Sequence, residues 1–325
     1  MTTLTSAEGW ADLAARRTLG QTGLQVTSVC IGGGPLGGSP AVFGHETAAQ
    51  DAVATVLAGF DSPFNFIDTS SGYTDGESER RIGAALAQVG GLPAGWVLET
   101  KVDPDFVTGE FDGPAVRRSF EGSLERLGVD HIELLHFHDP ERITFEEAMA
   151  PGGAVPELVK LRDEGLVDHL GVAGGPSSLL ERYLDTGVFE AVLTHNRWTL
   201  ADRSAGHLLD KATALGVGVL NGAPFGGGVL AKGTGYTELY CYAPMRPQTR
   251  AAIQAVEAIC SQAGVPLGAA ALQFSLRDPR IHSTVVGVAK PERIRQTVAW
   301  ATWPVPDDVW QAILAASGRD AGLDN

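Results

Sequence analysis

Ile132-Glu133-Leu134-Leu135-His136-Phe137-His138-Asp139-Pro140, then an amphipathic stretch at 156–164, then His169-Leu170-Gly171-Val172: this segment decides how the chain reads. The two short apolar runs have strand length, and the stretch between them carries a helical period. A helix between two strands rules out a hairpin, so they read as parallel neighbours in a β–α–β unit. Period-2 alternation puts Ile132, Leu134, His136 and His138 on one face of the first strand, with His138 nearest its carboxyl end.

The same alternation runs outward in both directions. Strands are predicted at 28–32, 65–68, 96–101, 132–138, 169–172, 191–194, 218–221 and 281–286. Helices are predicted at 48–60, 77–88, 115–127, 156–164, 179–186, 201–215, 249–263 and 291–300. Eight strands with eight helices is the count that closes an α/β (β/α)8 TIM barrel. Length alone, 325 residues, suggests two domains at ~150 residues each. No Pro/Ser-rich linker or charge block divides the chain, so residues 1–325 are expected to form a single barrel domain. Arg17 to Val26 reads as a hairpin turning at Gln21-Thr22-Gly23 and plugging one barrel end. Residues 1–16 are a short extension and 301–325 a tail. The stretch 226–248, between the seventh strand and the helix at 249–263, is long and rich in glycine and tyrosine. Such a loop emerges at the carboxyl face of a barrel and is usually functional.

Composition narrows the class. The chain has 39 acidic and 24 basic residues, a net charge of −15, which repels nucleic acid and anionic lipid. With 44% hydrophobic and 19% charged residues it builds a core. Cys30, Cys241 and Cys260 are too few and too scattered for a disulfide framework. No apolar run approaches the ~18 residues of a membrane span, and the first 17 residues lack a signal-peptide core. The expected setting is cytoplasmic, with small molecules as partners and neither nucleic acid nor membrane.

Glycine is the compositional outlier, 41 of 325 residues against a typical ~7%. Gly32-Gly33-Gly34-Pro35-Leu36-Gly37 matches G-x-G-x-x-G after a strand, the dinucleotide fingerprint. That fingerprint must open a helix, whereas here Gly38-Ser39-Pro40 follows and the helical pattern waits until about residue 48. The match is therefore read as a glycine-rich loop. Glycines also follow other predicted strands, at 171–175 and 222–228, where they let backbone approach a ligand closely.

Three strand ends carry chemistry. Asn65-Phe66-Ile67-Asp68-Thr69-Ser70-Ser71-Gly72-Tyr73 places Asp68 at a strand's end and Tyr73 on the loop beyond it. Trp96-Val97-Leu98-Glu99-Thr100-Lys101 closes a strand on a lysine, in a chain with only five lysines. A lysine amine is a compact charge whose pKa moves readily on burial. His138 is the third. His136 and His138 at i, i+2 also admit a metal hydrolase, with Asp68, Asp103 and His195 as further ligands; the preferred reading has no metal.

These residues resemble the aldo-keto reductase family over nearly the whole chain. Arg17-Thr18-Leu19-Gly20 with Gly23-Leu24-Gln25-Val26 is similar to the family's opening hairpin. The Asp68…Tyr73 spacing, Lys101, and Asp130…His138-Asp139-Pro140 match its tetrad positions. Gly165–Val172 and Pro291-Glu292-Arg293-Ile294 resemble later family segments. The resemblance implies hydride transfer between nicotinamide C4 and a carbonyl or carbinol carbon. Tyr73 would be the general acid or base, its pKa lowered by Lys101, which Asp68 holds. His138 would orient the substrate oxygen by a hydrogen bond.

Departures from the family pattern refine the expectation. Positions that usually grip the nicotinamide read Ala173-Gly174 and His195, and the stacking aromatic aligns with Gly222. His195 can still bond an amide, and Phe225 can supply the lost ring. Gly34-Pro35-Leu36-Gly37, Arg197-Trp198-Thr199-Leu200 and 221–228 resemble the subgroup of aldose 1-dehydrogenases and pyridoxal 4-dehydrogenase, which oxidise cyclic hemiacetals to lactones. The resemblance implies cofactor contacts at Gly34, Ala173, His195, Pro224, Phe225, Gly226, Gly228, Gly287, Val288, Arg293, Gln296 and Thr297. Either NAD or NADP fits, since Arg293 remains while the usual Lys and Ser read Gly287 and Val288. Substrate walls are expected from Trp198, Tyr236, Tyr240, Tyr242 and the tail residues Trp303 and Trp310. A broad aldehyde or ketone reductase and a cofactor-bound regulatory subunit are the alternatives.

Overall fold

The computed structural model describes residues 12–38 and 46–323; most of the expected N-terminal extension lies outside them. Twelve strands occur among the described residues: β1 (Arg16–Thr18), β2 (Gln25–Thr27), β3 (Val29–Gly32), β4 (Phe66–Asp68), β5 (Val97–Val102), β6 (Ile132–His138), β7 (Val167–Gly174), β8 (Ala191–His195), β9 (Gly218–Gly222), β10 (Leu239–Tyr240), β11 (Ala243–Pro244) and β12 (Ser283–Gly287). Eight of them close a parallel barrel in the order β12-β3-β4-β5-β6-β7-β8-β9. The closure leaves no open sheet edge.

Alternation along each strand splits the core into two shells. Cys30, Phe66, Val97, Leu134, Ala173, Leu193, Leu220 and Val285 fill the barrel interior. Val29, Ile31, Ile67, Leu98, Leu135, Phe137, Val172, Val192 and Val219 face outward and pack under the helices. Strands buried on both faces read as nearly continuous apolar runs, which is why they stand out in the sequence.

The opening hairpin pairs β1 with β2, Arg17 opposite Val26, and its turn closes the amino end of the barrel. Leu19 is fully buried there, and Arg17 donates to the Ile281 carbonyl. Gly20 sits at φ 53° with its Cα against β9. A Cβ there would stand 2.3 Å from the Gly218 nitrogen, so only glycine fits.

The helix after the seventh barrel strand departs from expectation. The stretch predicted at 249–263 does form a helix, Pro247–Ala263, but it packs outside, against the tail helix Asp307–Ala316. The barrel position belongs to Leu267–Leu276, whose residues Gly268 to Ser275 are all buried. Ser275 Oγ hydrogen-bonds Thr284 Oγ1 at 2.7 Å and accepts from Asn221 Nδ2 at 2.8 Å, tying this helix to β12 and β9. A helix buried on nearly every side, with Gln273 and Ser275 its only polar residues, has no amphipathic stripe, so periodicity passes over it. Among the described residues no single helix is long and apolar enough to cross a membrane.

The stretch at 226–248 is also more structured than expected. It holds a short helix, Val229–Lys232, and the small β10–β11 hairpin. After Gly32 the chain makes a single 3-10 turn, Gly34–Gly37, capped by Gly38 in a left-handed conformation.

Candidate functional site

The carboxyl ends of β4, β5 and β6 lie side by side, with Asp68 opposite Glu99 and Lys101 opposite His136. This register places Asp68, Lys101 and His138 at one mouth. Tyr73 arrives from the β4 loop, where Tyr73 N donates to the Ser70 carbonyl at 3.2 Å. Thr74 and Asp75, at φ 52° and 53°, then turn the chain into the helix Glu77–Val89.

Lys101 is 1% exposed, and each of its ammonium protons has an acceptor. It pairs with the Asp68 carboxylate, donates to Thr69 O at 2.7 Å, and reaches Tyr73 Oη at 3.0 Å. Burial presses the lysine pKa down, but the carboxylates of Asp68 and Glu99 and the phenol oppose it and carry it up. Lys101 is therefore charged. Burial lifts Asp68 to about 6 against the pull of Lys101, which leaves it ionised at neutral pH.

Tyr73 corrects the sequence expectation. Lys101 does lower its pKa, but burial is the larger effect, and the net shift is upward. In the free protein Tyr73 is a protonated phenol beside an ammonium, a proton donor. Its ring stands edge-on to His138, with centroids 5.7 Å apart.

His138 does not face the site alone. Its Nδ1 lies 2.7 Å from Asp103 Oδ1, and its Nε2 lies 3.7 Å from Asp139 Oδ1. In the sequence Asp103 reads only as a candidate metal ligand. The signal that finds it is alternation: 99, 101 and 103 project on the same face, two residues apart.

A second polar layer lies beneath. Glu99 and His136 are both fully buried, with His136 Nε2 at 3.0 Å from Glu99 Oε2. Burial raises Glu99 to about 7 and lowers His136 to about 3, so the imidazole is neutral. A Cβ on Gly171 would stand 2.3 Å from His136 Nδ1, so this glycine makes room for the ring. His136 is thus committed inside the barrel. Among the described residues no group of three His, Cys, Asp or Glu side chains is arranged to hold a metal ion.

The expected cofactor residues divide. His195 ends β8 beside Gly222, and its Nδ1 pairs with Asn196 Nδ2 at 2.9 Å. Burial lowers it to about 4, so the ring is neutral and Nε2 is its donor. Ala173 lies buried opposite His138 in the ladder. Gly34 opens the turn after β3, and Gly287, exposed, sits against Pro35. Val288 is buried and donates its N–H to Gly32 O. Arg293, exposed on the first turn of Pro291–Ala301, pairs with Gln296.

Other expected contacts are turned to packing. Thr297 is buried, with its hydroxyl spent on Arg293 O at 2.8 Å. Pro224 is buried, and Phe225, half-buried, packs edge-on against Trp300 with ring centroids 5.6 Å apart. The space over Gly226 is filled by the Tyr240 ring, and Gly228 lies against Tyr236. These glycines accommodate the chain's own loop.

The expected substrate walls divide likewise. Tyr240 is buried, and its hydroxyl donates to Asn196 O at 2.7 Å, so it anchors the loop and offers no wall. Trp198 packs between Arg280 and Phe274. Trp310 lies buried under Arg277, and Trp303 packs in the same outer cluster. Tyr236 and Tyr242 remain exposed, and Tyr242 is close enough to Asp139 to feel its charge.

The donor set fits a nicotinamide dinucleotide. A neutral imidazole at His195 suits an amide. The amino end of Pro291–Ala301, with Lys290 as its cap and Arg293 in its first turn, suits an anionic phosphate.

Comparison with known proteins agrees with this geometry. The sequence model of the Aldo/keto reductase family matches residues 28–317. The chain is 32% identical to an L-galactose dehydrogenase of Arabidopsis thaliana, covering 88% of each. It is 30% identical to a pyridoxal 4-dehydrogenase of Microbacterium luteolum, covering 92% of this chain and 96% of that one. An aldo-keto reductase from Bacillus halodurans, solved in its holo form, shares the fold with a TM-score of 0.74 at 19% identity, covering 93% and 96%.

Proposed function

The chain belongs to the aldo/keto reductase family and is an NAD(P)-dependent oxidoreductase, and from that premise we propose that it oxidises an aldose or similar cyclic hemiacetal to a lactone at Tyr73, Lys101, Asp68 and His138. The observation that carries the reading is the 3.0 Å approach of the charged Lys101 to the Tyr73 hydroxyl at the barrel mouth. The L-galactose and pyridoxal 4-dehydrogenases, both about 30% identical, support the hemiacetal class.

When bound, the dinucleotide supplies the hydride acceptor or donor at nicotinamide C4. His195, Gly287, Val288 and Arg293 would hold it. Tyr73 takes the carbinol proton as hydride leaves the adjacent carbon, or gives one back in reduction. Lys101 steadies the phenolate that oxidation requires, and Asp68 holds Lys101. His138 hydrogen-bonds the reacting oxygen and fixes its position. The three cysteines are free and buried, consistent with a proposed cytoplasmic setting.

One observation favours a second reading. A phenol held protonated by burial is ready to donate, which suits carbonyl reduction. A panel of aldoses, pyridoxal and simple aldehydes, assayed with NAD⁺, NADP⁺ and NADPH, decides between the two. Aldose or pyridoxal oxidation is expected to dominate. Strong aldehyde reduction without aldose oxidation overturns the proposal.

A further inference from the structure

Asp103 is a buried carboxylate, 4% exposed, that the tetrad chemistry above does not use. It follows Lys101 by two residues and so projects beside it at the mouth. Its two oxygens are fully engaged. Oδ1 faces His138 Nδ1 at 2.7 Å. Oδ2 accepts from Ser70 Oγ, from Ser71 Oγ at 3.1 Å and from Gly72 N at 2.7 Å. Gly72 is required for this approach, because a Cβ there would stand 2.6 Å from Asp103 Cγ. The stretch Ser70-Ser71-Gly72 just before Tyr73 is thus a cradle for this carboxylate.

We propose that Asp103 is a positioning residue for hydride transfer, pinning the His138 ring through Nδ1–H so that a protonated Nε2 is presented to the reacting oxygen. The inference rests on the reading of His138 as the group that bonds that oxygen. A carboxylate behind an imidazole fixes its tautomer and orientation and favours the imidazolium. The electrostatics agree with the geometry. Burial lowers the His138 pKa, but the charges of Asp103 and Asp139 outweigh it, and the net direction is up. Burial likewise raises Asp103, yet His138 and the donors from Ser70 and Gly72 bring it down to about 2. The charged and titratable groups around His138 are Lys101 from β5 and Asp103 just beyond it, Asp139 and Glu141 beyond β6, His195 from β8, Tyr73, and more distantly Asp68. A charged donor at Nε2 stabilises the oxyanion character of the reacting oxygen more than a neutral imidazole does.

Asp103→Asn keeps the side chain's shape and removes its charge. In the ligand-free protein, an NMR titration of His138, assigned with His138→Gln, is expected to show a midpoint above 6.5 in the wild type. The midpoint should lie about one pH unit lower or more in Asp103→Asn. Gly72→Ala, which displaces the carboxylate without altering its charge, should shift it in the same direction. In turnover, Asp103→Asn is expected to lower kcat for carbonyl reduction about 10²-fold at neutral pH. It should also move the alkaline limb of the kcat–pH profile downward, with dinucleotide Kd unchanged. A merely structural defect would lower activity at every pH and leave the limb in place. An unshifted His138 midpoint, or an unmoved limb, overturns the proposal. The titration needs no substrate, so a protein that turned over no sugar or aldehyde would sink the proposed activity and still leave this pairing decided by the midpoint.

Discussion

Lys101 Nζ lies 3.0 Å from Tyr73 Oη while its charge is paired with Asp68, so one buried ammonium is shared between a carboxylate and a phenol. The phenol gains little acidity from this contact in the free protein because its own burial costs more. Proton transfer at Tyr73 therefore depends on Lys101 to stabilise a phenolate that the dry site otherwise opposes.

Replacing Tyr73 with Phe removes the proton donor and keeps the ring. Turnover in either direction should fall by about 10³-fold or more. Dinucleotide binding, followed by fluorescence titration, should stay close to the wild type. A variant that retains wild-type kcat removes Tyr73 from the chemistry.

Lys101→Met leaves Asp68 as a buried carboxylate without its counter-ion. Breaking one side of such a pair costs about 3 kcal/mol or more, to be read from urea unfolding. Adding Asp68→Asn to Lys101→Met should recover much of that loss, since the stranded charge is gone. Equal stability of the single and double variants would show that the cost lies elsewhere.

Glu99 gives the fold a pH dependence of definite sign. Its folded pKa is raised to about 7 from an ordinary 4.5, so the folded state holds the proton more tightly than the unfolded chain. Its contribution is full below 4.5 and is lost as pH rises through about 7. His136, lowered to about 3, acts with the opposite sign, losing stability as pH falls from 6.5 toward that value. Glu99→Gln removes the first contribution. The wild-type Tm minus the Glu99→Gln Tm should therefore decline as pH is raised from 4.5 to 7.5, about the window between the two Glu99 values. A difference that stays flat across that window refutes the assignment.

Tyr240→Phe unties the loop at 226–248. The lost hydroxyl donates to Asn196 O at 2.7 Å and shares a hydrogen bond with Thr199 at 2.8 Å. Leaving that buried carbonyl unpaired costs about 1–3 kcal/mol, concentrated in the loop. Hydrogen exchange at 226–248 should quicken, and KM for the substrate should rise more than kcat falls. Unchanged exchange in that stretch would mean that other contacts hold the loop.

Alternation in the sequence determined the barrel, because strands buried on both faces and joined by amphipathic helices leave their period in the order of residues. It also placed Asp68, Lys101, Tyr73 and His138 at one mouth, since strand ends and the loops after them share a face. It did not reveal the helix Leu267–Leu276, whose apolar surface has no polar side to mark its phase. Nor did it tell glycines that make room for a ligand from those that make room for the chain itself, such as Gly226 under Tyr240 and Gly171 beside His136. Tertiary structure alone decided the pairings that set charge. Asp103 meets His138 across 35 residues, and Glu99 meets His136 across 37. Periodicity fixes which way a side chain points, but the partner it meets and the water it loses are settled by packing between strands, and those two quantities set its charge.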